Sequence, residues 1–449
     1  MLEILIFILI TFFGYLLTNL IIKDIRFLER LALSYLLGIG LTTVLVFLYS
    51  WVGVKITLLS VISLVITLIV PLGIVHKLLG IKLNLRGLNI FKTFGRFKWY
   101  EKILCLIIFI LLLLSVILSS YYPVAAWDAL ALYDFVAKVI SHTGFFVQIA
   151  NQFYYFAEYP LLVSLTHTIV YLSKGTNPQF IYSLYYISFA ILCFSFIRRY
   201  LNRFLALFFT LIIISDPTLF AHSAIAYTNL PYTVYFVAGI FYLFYGLTND
   251  RYDYLFISSL LIGLSTWVRS AEPFWFAGIL FVVAYSIFKK KIYPVLIYLP
   301  AFLIIQQPWK IIQASLYGNN YATSTQFVVV GKTLLPGGIN MAQIADVINY
   351  IYQNIILSWK LVFPAFIIAI LLNLIKANKR ALLFLAIILA NFAALFIGVY
   401  YFSLNFPNWK VIGGSATRLA IFFPPLMICY SALVLSTVFE TIRKNENRN

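Results

Sequence analysis

Apolar residues run unbroken for about twenty positions at a time along this chain, separated by short polar segments that are mostly basic. In hydrocarbon each backbone group must bond within its own segment, so runs of this length predict membrane-crossing helices. They fall near 2–22, 31–51, 56–76, 103–120, 178–197, 204–221, 229–247, 254–269, 273–288, 293–308, 361–375, 381–402 and 419–438. The runs do not alternate apolar and polar positions, which excludes a porin-like barrel. One run, 161–172, has only about a dozen residues and is too short for a normal span. It predicts a helix at the outer interface or dipping partway in.

Basic clusters at 23–30, 77–102, 198–203, 249–253, 289–291, 376–380 and 443–444 test this count. Cytoplasmic loops carry the excess of Lys and Arg. Placing every cluster on that side requires thirteen crossings, with the N-terminus outside and the C-terminus inside. The expected fold is therefore all-α: a polytopic helical membrane protein of about thirteen spans plus external amphipathic helices. Its larger external loops are 121–177 and 309–360. Composition agrees, since 63% of the 449 residues are hydrophobic and only 10% charged, against about 45–50% and about 25% in soluble domains. The 32 Lys and Arg against 14 Asp and Glu give a net charge of +18. Because these cations sit between apolar runs, they point to anionic lipid head groups and not to nucleic acid. Cys105, Cys193 and Cys429 all lie inside apolar runs and predict no disulfide.

Carboxylates near hydrocarbon cost about 2.5–3.5 kcal/mol at a helix centre, so those near span ends invite explanation. The first external loop holds Asp128, Asp134 and Glu158. Residues 126–138 read as an amphipathic helix with Leu132, Phe135, Val136, Val139 and Ile140 on one face and Gly144 as its stop. Asp128 is either an N-cap or a reacting carboxylate, and Asp134 has Lys138 four residues on as an ion-pair partner. His142, His167 and His222 can reach an external cavity, but no pair has metal-ligand spacing. His222 and His167 stay candidates; solvated or core histidines are the bland alternative.

The order of these features resembles the GT-C superfamily, polytopic glycosyltransferases that use polyprenyl-phosphate-linked sugars. Trp127-Asp128 stands on an external helix after a cytoplasm-to-outside span, and Glu158-Tyr159-Pro160-Leu161-Leu162 opens a second helix. Ala226-Tyr227-Thr228-Asn229-Leu230-Pro231 and Thr266-Trp267-Val268-Arg269 follow in order, and Arg418 precedes Pro424-Pro425 in the last span. The likeness is greatest to the protein O-mannosyltransferase and aminoarabinose-transferase group. It covers 103–310 well, 311–449 loosely and the three helices within 1–102 not at all, which divides the chain at those boundaries. The resemblance implies that Asp128 is the catalytic carboxylate and that Glu158 shapes an acceptor or metal site; Asn229, at the second motif, and Asp134, His222 and His167, by their external placement, are further candidates for that site. Ala129 stands where the family often has a second carboxylate, Asn229 where it usually has Asp, and Pro160 is single where two are common. These departures weaken the case for a divalent metal, which the sequence does not require.

Transfer from a lipid phosphate needs a base for the acceptor hydroxyl and positive charge for the departing phosphate. A planar, always-charged guanidinium suits phosphate best, which favours Arg418 and Arg269 over Lys310, Lys332, Lys360 and Lys410. Of these lysines Lys332 is retained as a phosphate-binding candidate, and each cation has snorkelling to head groups as its alternative. The implied partners are a polyprenyl-phosphate sugar, membrane lipids, and a glycan, lipid or protein acceptor. The implied location is the outer face of the cytoplasmic membrane. A multi-pass transporter or lipid flippase is the competing class, and it would need charged or broken helices near the midplane.

Overall fold

The computed structural model describes residues 2–83, 94–146, 159–270, 274–317, 340–376, 378–405, 408–412 and 417–446. Among them every regular element is helical. In chain order the helices are α1 (Leu2–Ile21), α2 (Phe27–Trp51), α3 (Leu58–Leu78), α4 (Trp99–Tyr121), α5 (Phe135–Thr143), α6 (Leu162–Leu172), α7 (Phe180–Ile197), α8 (Arg203–Ile214) and α9 (Pro217–His222). They continue with α10 (Asn229–Asn249), α11 (Tyr252–Val268), α12 (Phe274–Lys289), α13 (Tyr293–Tyr317), α14 (Met341–Ile351), α15 (Val362–Lys376), α16 (Lys379–Asn405) and α17 (Phe423–Glu446).

Among the described residues nine helices are long and apolar enough to cross a membrane, or up to ten if 341–359 and α15, bent 94° at their break, make one span. The expectation of thirteen exceeds this because several apolar runs give shorter helices. Asp216 and Pro217 break the run 204–221: Pro217 cannot continue α8, and the Asp216 carboxylate caps α9 by accepting from the Leu219 N–H at 2.8 Å. At 12 residues α8 is only about 18 Å long. Helices α11 and α12, with 17 and 16 residues, also fall short.

The bundle is organised around α10, whose residues 229–247 are all buried. Helix α2 packs beside it: Tyr235 donates to the Leu36 carbonyl at 2.6 Å, and Trp267 of α11 donates to the Thr43 hydroxyl at 3.1 Å. Helix α2, with α1 packed on it, therefore shares a core with α7, α10 and α11. Helices α3 and α4 lie outermost, with few buried positions, as lipid-facing helices do. Helix α6 has the predicted shortness, yet 161–170 are buried throughout, enclosed by α2, α3 and α5. Over 161–170 it presents no exposed face.

Helices α1 and α2 approach closely because glycines face each other. A Cβ at Gly38 would stand 2.3 Å from the Ile10 carbonyl oxygen, and one at Gly14 2.0 Å from that of Ser34. Such small-residue contacts replace the hydrophobic drive that helices lack inside lipid. Gly38→Ala therefore forces the pair apart and costs about 3 kcal/mol, read as a lower unfolding midpoint of the purified protein. Gly73→Ala on α3, where an added Cβ meets nothing within 4 Å, leaves the midpoint unchanged or slightly higher.

Candidate functional site

The loop after α4 begins with Trp127 and Asp128 already in helical conformation, followed by a wide π-helical turn over 129–134 that runs into α5. Asp128 makes no cap hydrogen bond (φ −60°, ψ −33°), so the N-cap alternative is not realised. Its carboxylate Oδ2 instead accepts from Nη1 of Arg418 at 2.9 Å, across 290 residues of chain. Each side chain is about one-third exposed, 36% and 31%. The pair is therefore open to solvent and to a ligand. Arg418 precedes the single turn 420–422 that leads into α17, and its guanidinium lies 5.2 Å from the centre of the Tyr227 ring.

A second set of polar side chains adjoins this pair. His222 ends α9 with Nδ1 at 2.8 Å from the Thr218 carbonyl, which can only accept, so Nδ1 carries the proton. Nε2 then accepts from the Asn229 amide at 3.4 Å, and the Asn229 oxygen accepts from Nη1 of Arg269 at 3.1 Å. Burial lowers the His222 pKa and the charge of Arg418 lowers it further, against the Thr218 bond, which raises it. Tyr133 and Thr228 join the two sets through their hydroxyls, 3.2 Å apart, and Tyr133 feels both Arg269 and Asp128. Five expected residues thus meet at one end of the bundle: Asp128, Arg418, Arg269, Asn229 and His222. Tyr133, Tyr227 and Thr228 were not singled out. Tyr227 and Thr228 stood inside the quoted motif, and only the wide turn reveals Tyr133.

Asp134 and His167 form a different, buried cluster. The π-helical turn rotates the following helix, so Asp134, Val136, Ala137 and Ile140 face inward while Phe135, expected on the apolar face, is exposed. Asp134 accepts from Lys138 Nζ at 2.8 Å, His167 Nδ1 at 3.2 Å and the Tyr171 hydroxyl. His167 Nε2 meets the Tyr182 hydroxyl at 3.2 Å. Burial alone would raise the Asp134 pKa, but these donors bring it down to about 2; burial lowers that of His167. The cluster joins α5, α6 and α7. Gly144 ends α5 as expected, at φ +81° with its N–H on the Ile140 carbonyl.

Glu158 and Lys332 lie outside the described residues. Lys410 pairs with Asp346 at 2.8 Å. Lys310 lines a small cavity of about 10 Å³ with Trp267, Trp275 and Trp309. Among the described residues no group of three His, Cys, Asp or Glu could hold a metal ion. At the site itself the carboxylate faces a guanidinium and the second position carries an amide already bonded to His222 and Arg269. That donor set does not fit a divalent cation. No family model matches the chain, and no curated protein or solved structure matches it at a significant level.

The Asp134 cluster generates a pH-dependent prediction. A carboxyl lowered from 3.8 to about 2 on folding contributes stability that is complete above about pH 4 and is lost as pH falls towards 2. Asp134→Asn removes a buried charge partner and lowers stability by about 3 kcal/mol near neutrality. Thermal unfolding of wild type and variant should give a constant gap between pH 5 and 7, narrowing below pH 4.

Proposed function

We propose that the chain is an inverting membrane glycosyltransferase that moves a sugar from a polyprenyl-phosphate donor to an acceptor hydroxyl at the outer face of the cytoplasmic membrane. The observation that carries this reading is the solvent-open pair of Asp128 and Arg418, brought together from the first external loop and the last span of a helical membrane bundle. A carboxylate beside a guanidinium combines the two capacities the reaction needs. The base takes the proton of the acceptor hydroxyl while the hydroxyl oxygen forms a bond to the anomeric carbon. The bond from that carbon to the phosphate oxygen breaks, and the electron pair leaves on the phosphate. Arg418 and Arg269 offer planar N–H forks to that growing charge. Asn229 holds Arg269 in place, and His222 holds Asn229.

The orientation belongs to the same reading. Counting the shorter helices α8, α11 and α12 as crossings, and α15 separately, restores thirteen spans and puts the Asp128 end outside, with the basic segments inside. A transporter or flippase is the second reading, and the 94° break between 341–359 and α15 is the feature that favours it.

Membranes carrying the protein, supplied with a labelled polyprenyl-phosphate sugar, test the proposal. Asp128→Asn should insert normally and lose transfer by about 10²–10⁴-fold. Arg418→Lys keeps the charge and loses the fork, so about a tenfold loss is expected. Undiminished transfer by Asp128→Asn removes this residue from the mechanism, and energy-dependent solute uptake with no transfer selects the transporter.

A further inference from the structure

At the far end of α10 from Asn229 the bundle holds a polar cavity. The 21 residues of α10 put about 30 Å between the two ends. The cavity measures about 340 Å³ and is lined by Arg199, Tyr245, Asn249, Arg251 and Tyr254, which come from the end of α7, the end of α10 and the start of α11. Each arginine lies against a tyrosine ring: Arg199 is 4.1 Å from the centre of Tyr245, and Arg251 is 5.0 Å from that of Tyr254. Stacked guanidinium groups are held in place by their flat faces and present their N–H edges sideways.

Charge around the cavity is graded. Arg199 donates Nη2 to Glu29 at 2.6 Å, and Glu29 also accepts from Tyr242 at 2.9 Å. Arg251 donates to Asp253 at 2.6 and 2.9 Å and to Asp24 at 3.1 Å. Behind this wall Arg30 is completely buried. Only its Nη2 has a partner, the Lys23 carbonyl at 3.2 Å, while Nε and Nη1 have no hydrogen bond. It lies within electrostatic reach of Glu29 and of Tyr254 in the cavity wall. Three arginines face three carboxylates here. The surplus comes from Arg380, which forms no ion pair among the described residues. Arg380 acts on Tyr200, whose ring stacks on Tyr245.

We infer that this cavity binds a phosphate group, presented by an anionic lipid head group or as a free phosphoryl ligand. Size, planar donors and surplus positive charge agree: the volume exceeds one phosphate and admits its ester substituents, and an arginine edge matches two phosphate oxygens. Basic pockets between helices at a membrane surface commonly take lipid phosphates in this manner. The inference stands on these residues alone and is independent of the transferase reading.

The full chain, purified in a zwitterionic detergent, is titrated with phosphatidylglycerol, phosphatidylcholine or inorganic phosphate while its unfolding midpoint is followed. Phosphatidylglycerol should raise the midpoint and phosphatidylcholine should not. Arg199 alone cannot be removed without leaving Glu29 buried and unpaired, so the test variants are Arg251→Gln and the charge-neutral double variant Glu29→Gln/Arg199→Gln. Both should need about tenfold or more phosphatidylglycerol for the same shift. Lys290→Gln/Lys291→Gln, outside the cavity, should respond like wild type. A response to phosphatidylglycerol alone assigns a lipid source, and a response to inorganic phosphate as well assigns a site open to soluble phosphoryl groups. Equal shifts from both lipids in wild type, or undiminished response in both cavity variants, overturn the inference.

Discussion

Ionised side chains cannot be left unpaired in hydrocarbon, and this constraint sorts the whole molecule. Charge gathers at the two ends of the bundle, in the first turns of helices or just beyond their last turns. Glu29 and Arg30 open α2, Glu101 opens α4, and Arg198 and Arg199 close α7. Most charges that enter the protein meet a partner: Glu101 accepts from Arg203 at 3.1 Å, and Asp134 collects three donors, whereas the buried Arg30 has only the Lys23 carbonyl. Between these ends α10 is apolar or neutral along its length and buried on every side, so it acts as the spacer between two polar sites.

Those two sites use the same residue types differently. At one end Asp128 and Arg418 form a partly exposed pair whose members come from distant segments, with a neutral histidine, an amide and a second arginine lined up beside it. Such an arrangement can exchange partners with a ligand at little cost, because solvent already weakens the pair. At the other end the arginines lie on tyrosine faces, with a fully buried arginine behind them. The first arrangement suits proton transfer beside a phosphate, as proposed, and the second suits holding a phosphate without reacting with it. The Asp134 cluster is a third use: with Asp134 and His167 buried, it fastens α5, α6 and α7 and thereby supports the loop that carries Asp128.

The helical membrane architecture was legible in the chain because the cost of exposing backbone polar groups to lipid translates run length directly into helix. Gly144 as the end of α5 and the Asp134–Lys138 pair were legible for the same local reason, since both depend on neighbours within one or two turns. The motif around Asn229 and the isolated arginines Arg269 and Arg418 were named from the chain, and the structure brings them to one end of the bundle. What failed did so where a local break or phase shift intervened. Asp216-Pro217 ended the helix expected over 204–221 early, at Ile214, and the wide turn at 129–134 rotated the apolar face away from Phe135 and towards Asp134.

Residue type and spacing alone determined that this chain is a bundle of apolar helices with its chemistry at their ends, because hydrophobic burial and backbone satisfaction are set by composition over a short window. Only the tertiary structure decided which ends meet: that Asp128 faces Arg418 and not its own helix terminus, that His222 rests on Asn229, and that Arg30 is buried behind the Arg199–Arg251 cavity. Contacts between residues hundreds of positions apart depend on how helices stack and turn about their axes, and no local pattern in the chain encodes that geometry.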